Sequence, residues 1–217
     1  MKKGTIAILI ILGILIIDQI LKFWVKTTMV IGEGYPMIGN WFWLEFTENN
    51  GMAFGLEFAG RYGKLFLSIF RILAAIAIAW YIWYLIRKNA HTGLIVSMAL
   101  IFAGAFGNII DSAFYGMLFS GSFHDVAVFM PENGGYATFL FGRVVDMFHF
   151  TARWPEWMPW LSGRLIFPPI FNVADSAITI GVILLIIFQG KFFDKKSSIK
   201  SNKTETSKER ETVEENA

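Results

Sequence analysis

Four long apolar runs dominate this sequence of 217 residues. A helix rises about 1.5 Å per residue, so about 20 residues cross the hydrocarbon core of a bilayer. Because 55% of the residues are hydrophobic, a soluble fold of this length could not bury its apolar surface. We therefore predict a membrane protein of mainly α structure. Its four transmembrane helices are predicted at residues 5–25, 65–86, 93–110 and 171–188.

Short basic segments set the predicted orientation. They lie at residues 2–3, 87–88 and 191–196. The positive-inside rule places all three, and with them both termini, in the cytoplasm. The long connections 26–64 and 111–170 then face outward. The first run is not a signal peptide, because no small-residue cleavage site follows it and it continues through Asp18 and Lys22.

One membrane domain is predicted for residues 1–190, followed by a disordered, charged cytoplasmic tail at 191–217. A small β-element is predicted between the first two spans. Residues 41–46 alternate in hydrophobicity, Asn49-Asn50-Gly51 favours a turn, and residues 52–58 are apolar again. This pattern predicts a β-hairpin at the membrane surface.

Charged and amide residues recur near the outward ends of the spans. Asp18 and Lys22 are four residues apart, so they can pair on one helix face. The third span ends with Asn108-x-x-Asp111 and the fourth begins with Asn172-x-x-Asp175, a spacing that places amide and carboxylate on one face of each helix. Asp146 lies in an apolar, β-prone stretch between these spans. The topology brings all four aspartates to one depth.

Converging carboxylates in apolar surroundings indicate acid–base chemistry. Two adjacent carboxyl groups share a proton, so one can activate water while the other protonates a leaving amine, as in aspartic peptidases. Any one of these aspartates taken alone fits a merely interfacial position. An ion-coupled transporter would also use intramembrane carboxylates, but nearer the midplane and often with inverted repeats.

Other chemistries fit the sequence less well. The absence of cysteine excludes a thiol nucleophile and a zinc-thiolate site. His124 and His149 lack metal-site spacing. The net charge of +2 is too small and scattered for a nucleic-acid partner. We predict no metal or other cofactor, and a monomer.

Five blocks of this sequence resemble the lipoprotein signal peptidases, also called signal peptidase II, in the order of that family. The blocks are Asp18-Gln19-x-x-Lys22, Thr47-Glu48-Asn49-Asn50-Gly51-Met52-Ala53-Phe54, Gly104-Ala105-Phe106-Gly107-Asn108-Ile109-Ile110-Asp111, Val144-Val145-Asp146 and Phe171-Asn172-x-Ala174-Asp175.

The resemblance implies an intramembrane aspartic endopeptidase of the bacterial inner membrane. Such an enzyme removes the signal peptide from prolipoproteins, before a cysteine that carries a diacylglyceryl group. Asp146 and Asp175 would form the catalytic dyad at the extracytoplasmic face. The supporting or substrate-binding residues would be Asn49, Gly51, Asn108, Asp111, Asn172, Asp18 and Lys22.

The sequence departs from the family pattern in two places. Ser112 stands where the family usually has Arg, and Arg143 is a candidate replacement for that charge. Residues 113–142 are far longer than the usual link. We expect this insertion to act either as a lid over the substrate or as an interfacial anchor.

Overall fold

Four membrane-length helices form the body of the protein. In the computed structural model, which describes residues 2–50 and 60–193, four helical segments are long and apolar enough to cross a membrane. They are α1 (Lys3–Thr28), α2 (Gly60–Arg87), α3 (Thr92–Ile110) with its continuation to Leu118, and α5 (Val173–Phe193). The four predicted spans are thus confirmed. Gly51 and the tail beyond residue 193 lie outside the described residues.

Helix α3 lies at the centre of the bundle. It packs against α1, α2 and α5, with its most extensive contact on α5. This contact depends on Gly104, because a Cβ at that position would overlap the carbonyl oxygen of Ala174 in α5. The close approach brings the C-terminal end of α3 beside the N-terminal end of α5.

The described parts of the three basic segments lie at the opposite end of the bundle. Lys3 Nζ donates hydrogen bonds to the carbonyl oxygens of Asn89, at 2.9 Å, and Ala90, at 2.7 Å. The rings of His91 and Phe192 lie 5.2 Å apart. The start of α1, the α2–α3 connection and the end of α5 are therefore neighbours.

The third span was predicted to end at residue 110, but in the structure the helical segment extends to Leu118. It continues through a π-helical turn (Asp111–Tyr115) into the short α4 (Gly116–Leu118). The chain that follows folds back on this turn and donates hydrogen bonds to its carbonyl groups, which a helix end otherwise leaves without partners. The donor and acceptor pairs are Gly142 N to Ser112 O, Leu140 N to Ala113 O, and Ala137 N to Gly116 O.

An antiparallel sheet caps the same end of the bundle, which we call the sheet end. In the described part of the chain it has four strands in the order β1 (Gly34–Ile38), β2 (Phe42–Asn49), β3 (Val144–Phe150) and β4 (Ile170–Phe171). The predicted β-element between the first two spans is confirmed, but the strand partners differ from those of the predicted hairpin. Strand β2 pairs with β1 on one edge and β3 on the other, whereas the predicted partner at 52–58 lies outside the described residues.

A core between the sheet and the ends of α1 and α3 holds β3 in place. Val145 and Met147 of β3 are fully buried there with Phe46 of β2 and Val25 of α1. Phe119, just beyond α4, completes this core. Because side chains alternate along a strand, Asp146 faces the other side of β3.

Candidate active site

Asp146 and Asp175 line one cavity at the sheet end of the bundle. Asp146 is the third residue of β3 and Asp175 the third residue of α5. Their cavity has a volume of about 880 Å³ and lies between the sheet, α2 and α5. Its apolar wall is formed by Phe150, Ala152, Ile166, Phe167, Pro169, Ile170, Phe171 and Ile180.

Asn172 connects the two carboxyl groups. Its Oδ1 accepts a hydrogen bond of 2.9 Å from the backbone N–H of Asp175, and Asp175 Oδ2 accepts one of 3.3 Å from the backbone N–H of Asn172. This reciprocal arrangement is a capping box at the start of α5. Asn172 Nδ2 donates to Asp146 Oδ1 at 2.7 Å. The predicted placement of Asn172 and Asp175 on one helix face is therefore wrong, because Asn172 precedes the helix and caps it.

Asn108 orients Asp175 from the neighbouring helix. Its Nδ2 donates a hydrogen bond of 2.9 Å to Asp175 Oδ1. Its Oδ1 accepts one of 2.9 Å from Lys22 Nζ. Since an ammonium group can only donate, the oxygen of the amide must face Lys22 and the nitrogen must face Asp175.

Lys22 is the centre of a buried charge network next to the cavity. Its ammonium group contacts Asp18 Oδ2 at 2.9 Å and Asp111 Oδ2 at 2.8 Å, so the predicted Asp18–Lys22 pair is confirmed. Both carboxylates also accept backbone hydrogen bonds. Asp18 Oδ1 accepts from Ala174 N at 2.9 Å, and Asp111 Oδ2 accepts from Val145 N at 3.2 Å.

The four aspartates predicted to converge therefore form two pairs with different surroundings. Asp18 and Asp111 are fully buried and share the charge of Lys22. Asp146 and Asp175 line the cavity. Asp18 accepts a hydrogen bond from the backbone N–H of Ala174, the residue before Asp175. Asp111 accepts one from the backbone N–H of Val145, the residue before Asp146. The first pair thus positions the second.

Asn49 places a further amide beside Asp146. It is the last residue of β2, and its Nδ2 donates to Asp146 Oδ2 at 3.4 Å. A bulge in the pairing of β2 with β3 lies between Leu44 and Thr47, and Thr47 pairs with Asp146. Bulges next to active sites re-aim side chains.

The protonation of Asp146 is dominated by its burial. The side chain is 2% exposed. Burial, followed by the negative charge of Asp175, raises the pKa of Asp146 to about 8, against the opposing effect of Lys22. Asp146 is therefore protonated at neutral pH and can serve as an acid.

Arg71 is a cavity residue that the sequence-based predictions missed. It lies in α2 and lines the cavity together with both aspartates. A signal was present in the sequence, because an ionisable side chain inside an apolar span points to a functional position. Its proximity to Asp175 depends on the packing of two helices that are far apart in the chain.

Arg143, the candidate replacement for the arginine usual in the family, forms its ion pair outside the cavity. Its Nη1 pairs with Glu48 Oε2 at 3.2 Å. Lys26 also pairs with Glu48 and donates to Ser122 Oγ at 2.9 Å, on the side covered by the insertion. Ser112 is buried, and its hydroxyl group donates to the carbonyl oxygen of Asn108 at 3.0 Å.

The insertion packs on the other side of the sheet end. Among the described residues that line the cavity, none belongs to 113–142. Phe119 and Ala127 of the insertion are instead buried in the core behind β3. The insertion therefore completes that core and does not form a wall of the cavity.

A pair of carboxyl groups in an apolar cavity, at one end of a four-helix membrane bundle, defines the class of intramembrane aspartic peptidases. Comparison with known proteins agrees. The family model described as Signal peptidase (SPase) II matches residues 10–190. The chain belongs to the signal peptidase II family.

Individual relatives match most of the chain. It is 46% identical over 193 residues to the lipoprotein signal peptidase of Porphyromonas gingivalis, an alignment that covers 86% of this chain and 84% of that protein. Identity to the lipoprotein signal peptidase of Amoebophilus asiaticus is 39% over 191 residues, which covers 85% of this chain and 75% of that protein.

A solved structure supports the same assignment. A bacterial membrane enzyme, determined by the in meso method at 2.3 Å resolution, superposes with a TM-score of 0.58 at 28% identity. The match covers 89% of this chain and 92% of that structure. The alternative of an ion-coupled transporter is not supported, because the chain belongs to a peptidase family.

Proposed function

We propose that Asp146 and Asp175 form the catalytic dyad of an endopeptidase that removes the signal peptide from prolipoproteins. Cleavage falls on the N-terminal side of a cysteine that carries a diacylglyceryl group. The observation that carries this proposal is that both carboxyl groups line one apolar cavity while Asn172 binds both of them.

The two aspartates have different chemical roles. Asp175 acts as the base and removes a proton from a water molecule as the water oxygen attacks the scissile carbonyl carbon. Asp146, protonated at neutral pH, donates its proton to the carbonyl oxygen. The addition of water gives a tetrahedral diol. When the diol breaks down, Asp146 regains a proton from one of its hydroxyl groups and the carbon–nitrogen bond breaks. Asp175 gives its proton to the leaving nitrogen. Both residues return to their starting states.

The walls of the cavity suit a lipidated substrate. Phe150, Phe167 and Phe171 form part of the apolar surface beside the dyad. Burial of each methylene group of an acyl chain contributes about 0.8 kcal/mol. A diacylglyceryl group can therefore hold the adjacent peptide bond at the dyad, so membrane lipid and lipidated protein are the expected partners.

The supporting residues act through the dyad or through the peptide that it binds. The side chains of Asn49, Asn108 and Asn172 orient the carboxyl groups and the substrate backbone. Gly51, outside the described residues, stays a predicted supporting residue. Asp18, Asp111 and Lys22 hold β3 and α5 in register. The protein is further proposed to act as a monomer without a cofactor.

The orientation proposed for the membrane places the cavity at the extracytoplasmic face and both termini in the cytoplasm. Support comes from the clustering of Lys3, the α2–α3 connection and the end of α5 at the opposite end of the bundle. Basic residues at that end favour a cytoplasmic location.

The test uses purified protein in detergent and a peptide that contains the cleavage site, with and without a diacylglyceryl cysteine. Mass spectrometry of the products should show one cut, directly before the lipidated cysteine. Asp146→Asn and Asp175→Asn should each lower cleavage by about 10³-fold or more, and the double variant should be scarcely worse than either single variant.

Asp125→Asn is the matched control, because Asp125 is an exposed carboxylate in the insertion. It should keep wild-type activity. Substantial cleavage by folded Asp175→Asn protein, or equal turnover of the unlipidated peptide, would contradict the proposal.

A further inference from the structure

The chain between β3 and β4 folds into a hairpin of its own, which we call the tryptophan hairpin (residues 151–166). Its two arms pair through backbone hydrogen bonds, from Trp154 N to Arg164 O at 2.9 Å and from Ile166 N to Ala152 O at 2.8 Å. Because the hairpin continues β3 and leads into β4, it is fixed to the sheet that carries one carboxyl group of the dyad.

The tip of the hairpin, residues 155–163, exposes large aromatic side chains. Trp157 is 77% exposed and Trp160 is 92% exposed. The backbone of the tip is closed by hydrogen bonds of its own, among them one of 3.1 Å from Ser162 N to Met158 O. Two indole rings held outward on a closed turn mark an interaction site.

The fold of the turn does not account for Trp160. Its φ of +71° lies in the left-handed region, where glycine fits without strain and a bulky side chain does not. The ring gains almost no packing within the protein in return, since it is nearly fully exposed. The partner that covers this ring therefore lies outside the described chain.

The arms of the hairpin lie beside a membrane-spanning helix. Ala152, Ile166 and Phe167 line the catalytic cavity together with Thr179 and Ile180, which belong to the second turn of α5. Ile166 is 49% exposed, Phe167 44% and Ile180 51%. Exposed apolar side chains thus lead from the hairpin to α5, which places the hairpin next to the bilayer.

Basic residues flank the aromatic tip. Arg153 and Arg164 are exposed, and neither has an acidic partner in the described part of the chain. Glu156 is the one acidic residue in the hairpin sequence, so the hairpin is basic. Indole rings beside cations suit the surface of a bilayer, where aromatic rings lie at headgroup level and cations bind lipid phosphate. A symmetric contact with a second copy would instead bring like charges together.

We propose that the tip of the tryptophan hairpin inserts into the bilayer leaflet at the sheet end and so holds one wall of the catalytic cavity against the lipid. The partner is the lipid surface, with Trp157 and Trp160 among the headgroups and Arg153 and Arg164 at the phosphate groups. This contact does not depend on the dyad. Its consequence, that the acyl chains of a substrate enter the cavity from this leaflet, rests on the proposed function.

The test measures the depth of the tip in vesicles of phosphatidylcholine and phosphatidylglycerol. The chain has no cysteine, so Ser162→Cys can carry a single nitrobenzoxadiazole fluorophore while both tryptophans remain. Lipids with brominated acyl chains should quench this label, as they quench one at Ile20, an exposed residue of α1. A label at the exposed Lys88 should stay unquenched. Adding Trp157→Ser and Trp160→Gly should release the Ser162→Cys label into water, and glycine suits the backbone of the turn.

Three results would overturn the lipid contact. The first is an unquenched label with both tryptophans present, and the second is quenching that persists when they are replaced. The third is a blue-shifted label that brominated lipid does not quench, which would show a protein neighbour. If the variant without Trp157 and Trp160 does not fold, the label in the presence of both tryptophans decides alone.

Cleavage of the lipidated peptide in the same vesicles tests the consequence for the substrate. The variant with Trp157→Ser and Trp160→Gly should show a severalfold higher KM with unchanged kcat, because the dyad is untouched. Trp83→Ser, a half-exposed tryptophan near the other end of α2, is the matched control and should change neither value. An unchanged KM, or a loss confined to kcat, would contradict entry from this leaflet. Cleavage by Asp175→Asn protein would instead refute the proposed function and leave the depth measurement valid.

Discussion

Asp111 accepts a hydrogen bond of 3.2 Å from the backbone N–H of Val145, the residue that precedes Asp146. Asp111, which does not line the cavity, thus helps to position strand β3, which carries the cavity residue Asp146. Asp18 does the same for α5 through the N–H of Ala174. Because both acceptors share Lys22, one buried cation links the positions of β3 and α5.

The pKa of Asp146 predicts the upper limb of the activity profile. Asp146 must be protonated to act as an acid, and burial raises its pKa to about 8. Cleavage of the lipidated peptide should therefore fall as the pH rises above about 8, which initial rates between pH 5 and 10 will show. A profile that stays flat to pH 10 would contradict the role of Asp146.

Asp146→Asn should stabilise the protein at neutral pH while it removes activity. Since the folded state raises the pKa of Asp146 from 3.8 to about 8, folded protein retains a proton that unfolded protein releases between these values. Stability then falls by up to about 1.4 kcal/mol per pH unit as the pH rises through this interval. The asparagine side chain does not titrate, so the variant lacks this fall of stability with rising pH.

Thermal unfolding in detergent at pH 5 and pH 8 measures the difference. The advantage of Asp146→Asn over wild type should be larger at pH 8. Asp125→Asn, an exposed control, should show no such increase, and an equal advantage of Asp146→Asn at both pH values would argue against a buried, protonated Asp146.

Lys22→Met should prevent accumulation of folded protein. The change leaves Asp18 and Asp111 buried without their cation, a loss of about 3–5 kcal/mol. Combining it with Asp18→Asn and Asp111→Asn should recover part of the yield, as measured by size-exclusion chromatography in detergent. Lys88→Met, at an exposed lysine, should leave the yield unchanged, and normal yield of Lys22→Met would show that the network contributes little.

Phe119→Ala tests the part played by the insertion. Phe119 is 1% exposed in the core behind β3, so its truncation should lower stability by about 3–5 kcal/mol. The kcat/KM of the protein that folds should stay close to wild type, because the insertion does not line the cavity in the described structure. Phe139→Ala, half-exposed, is the control. A selective loss of kcat/KM would instead favour a lid.

Cysteine labelling tests the orientation in the membrane. A cysteine at Lys88 should react only with reagent added from the cytoplasmic side, and one at Asn133 only from outside. Lys88 is preferable to the adjacent Asn89, whose φ of +50° would strain a cysteine. Reversed labelling would place the cavity on the cytoplasmic side.

The sequence by itself determined the local features of this protein. Span length and hydropathy located the helices, because a helix must satisfy its own backbone within the bilayer. Four-residue spacing predicted the Asp18–Lys22 pair, since the pitch of a helix places such residues on one face. The motif blocks predicted the other site residues through their resemblance to a family.

Only the tertiary structure decided how these features meet. It separated the four aspartates into a pair held by Lys22 and a pair that lines the cavity, and it placed Arg71 beside Asp175. It also turned Asn172 into a helix cap, gave β2 its partners β1 and β3, and packed the insertion against the core. These relationships join segments that are far apart in the chain. Local periodicity does not encode them, because the packing of α2, α3 and α5 and the register of the sheet determine which side chains face each other.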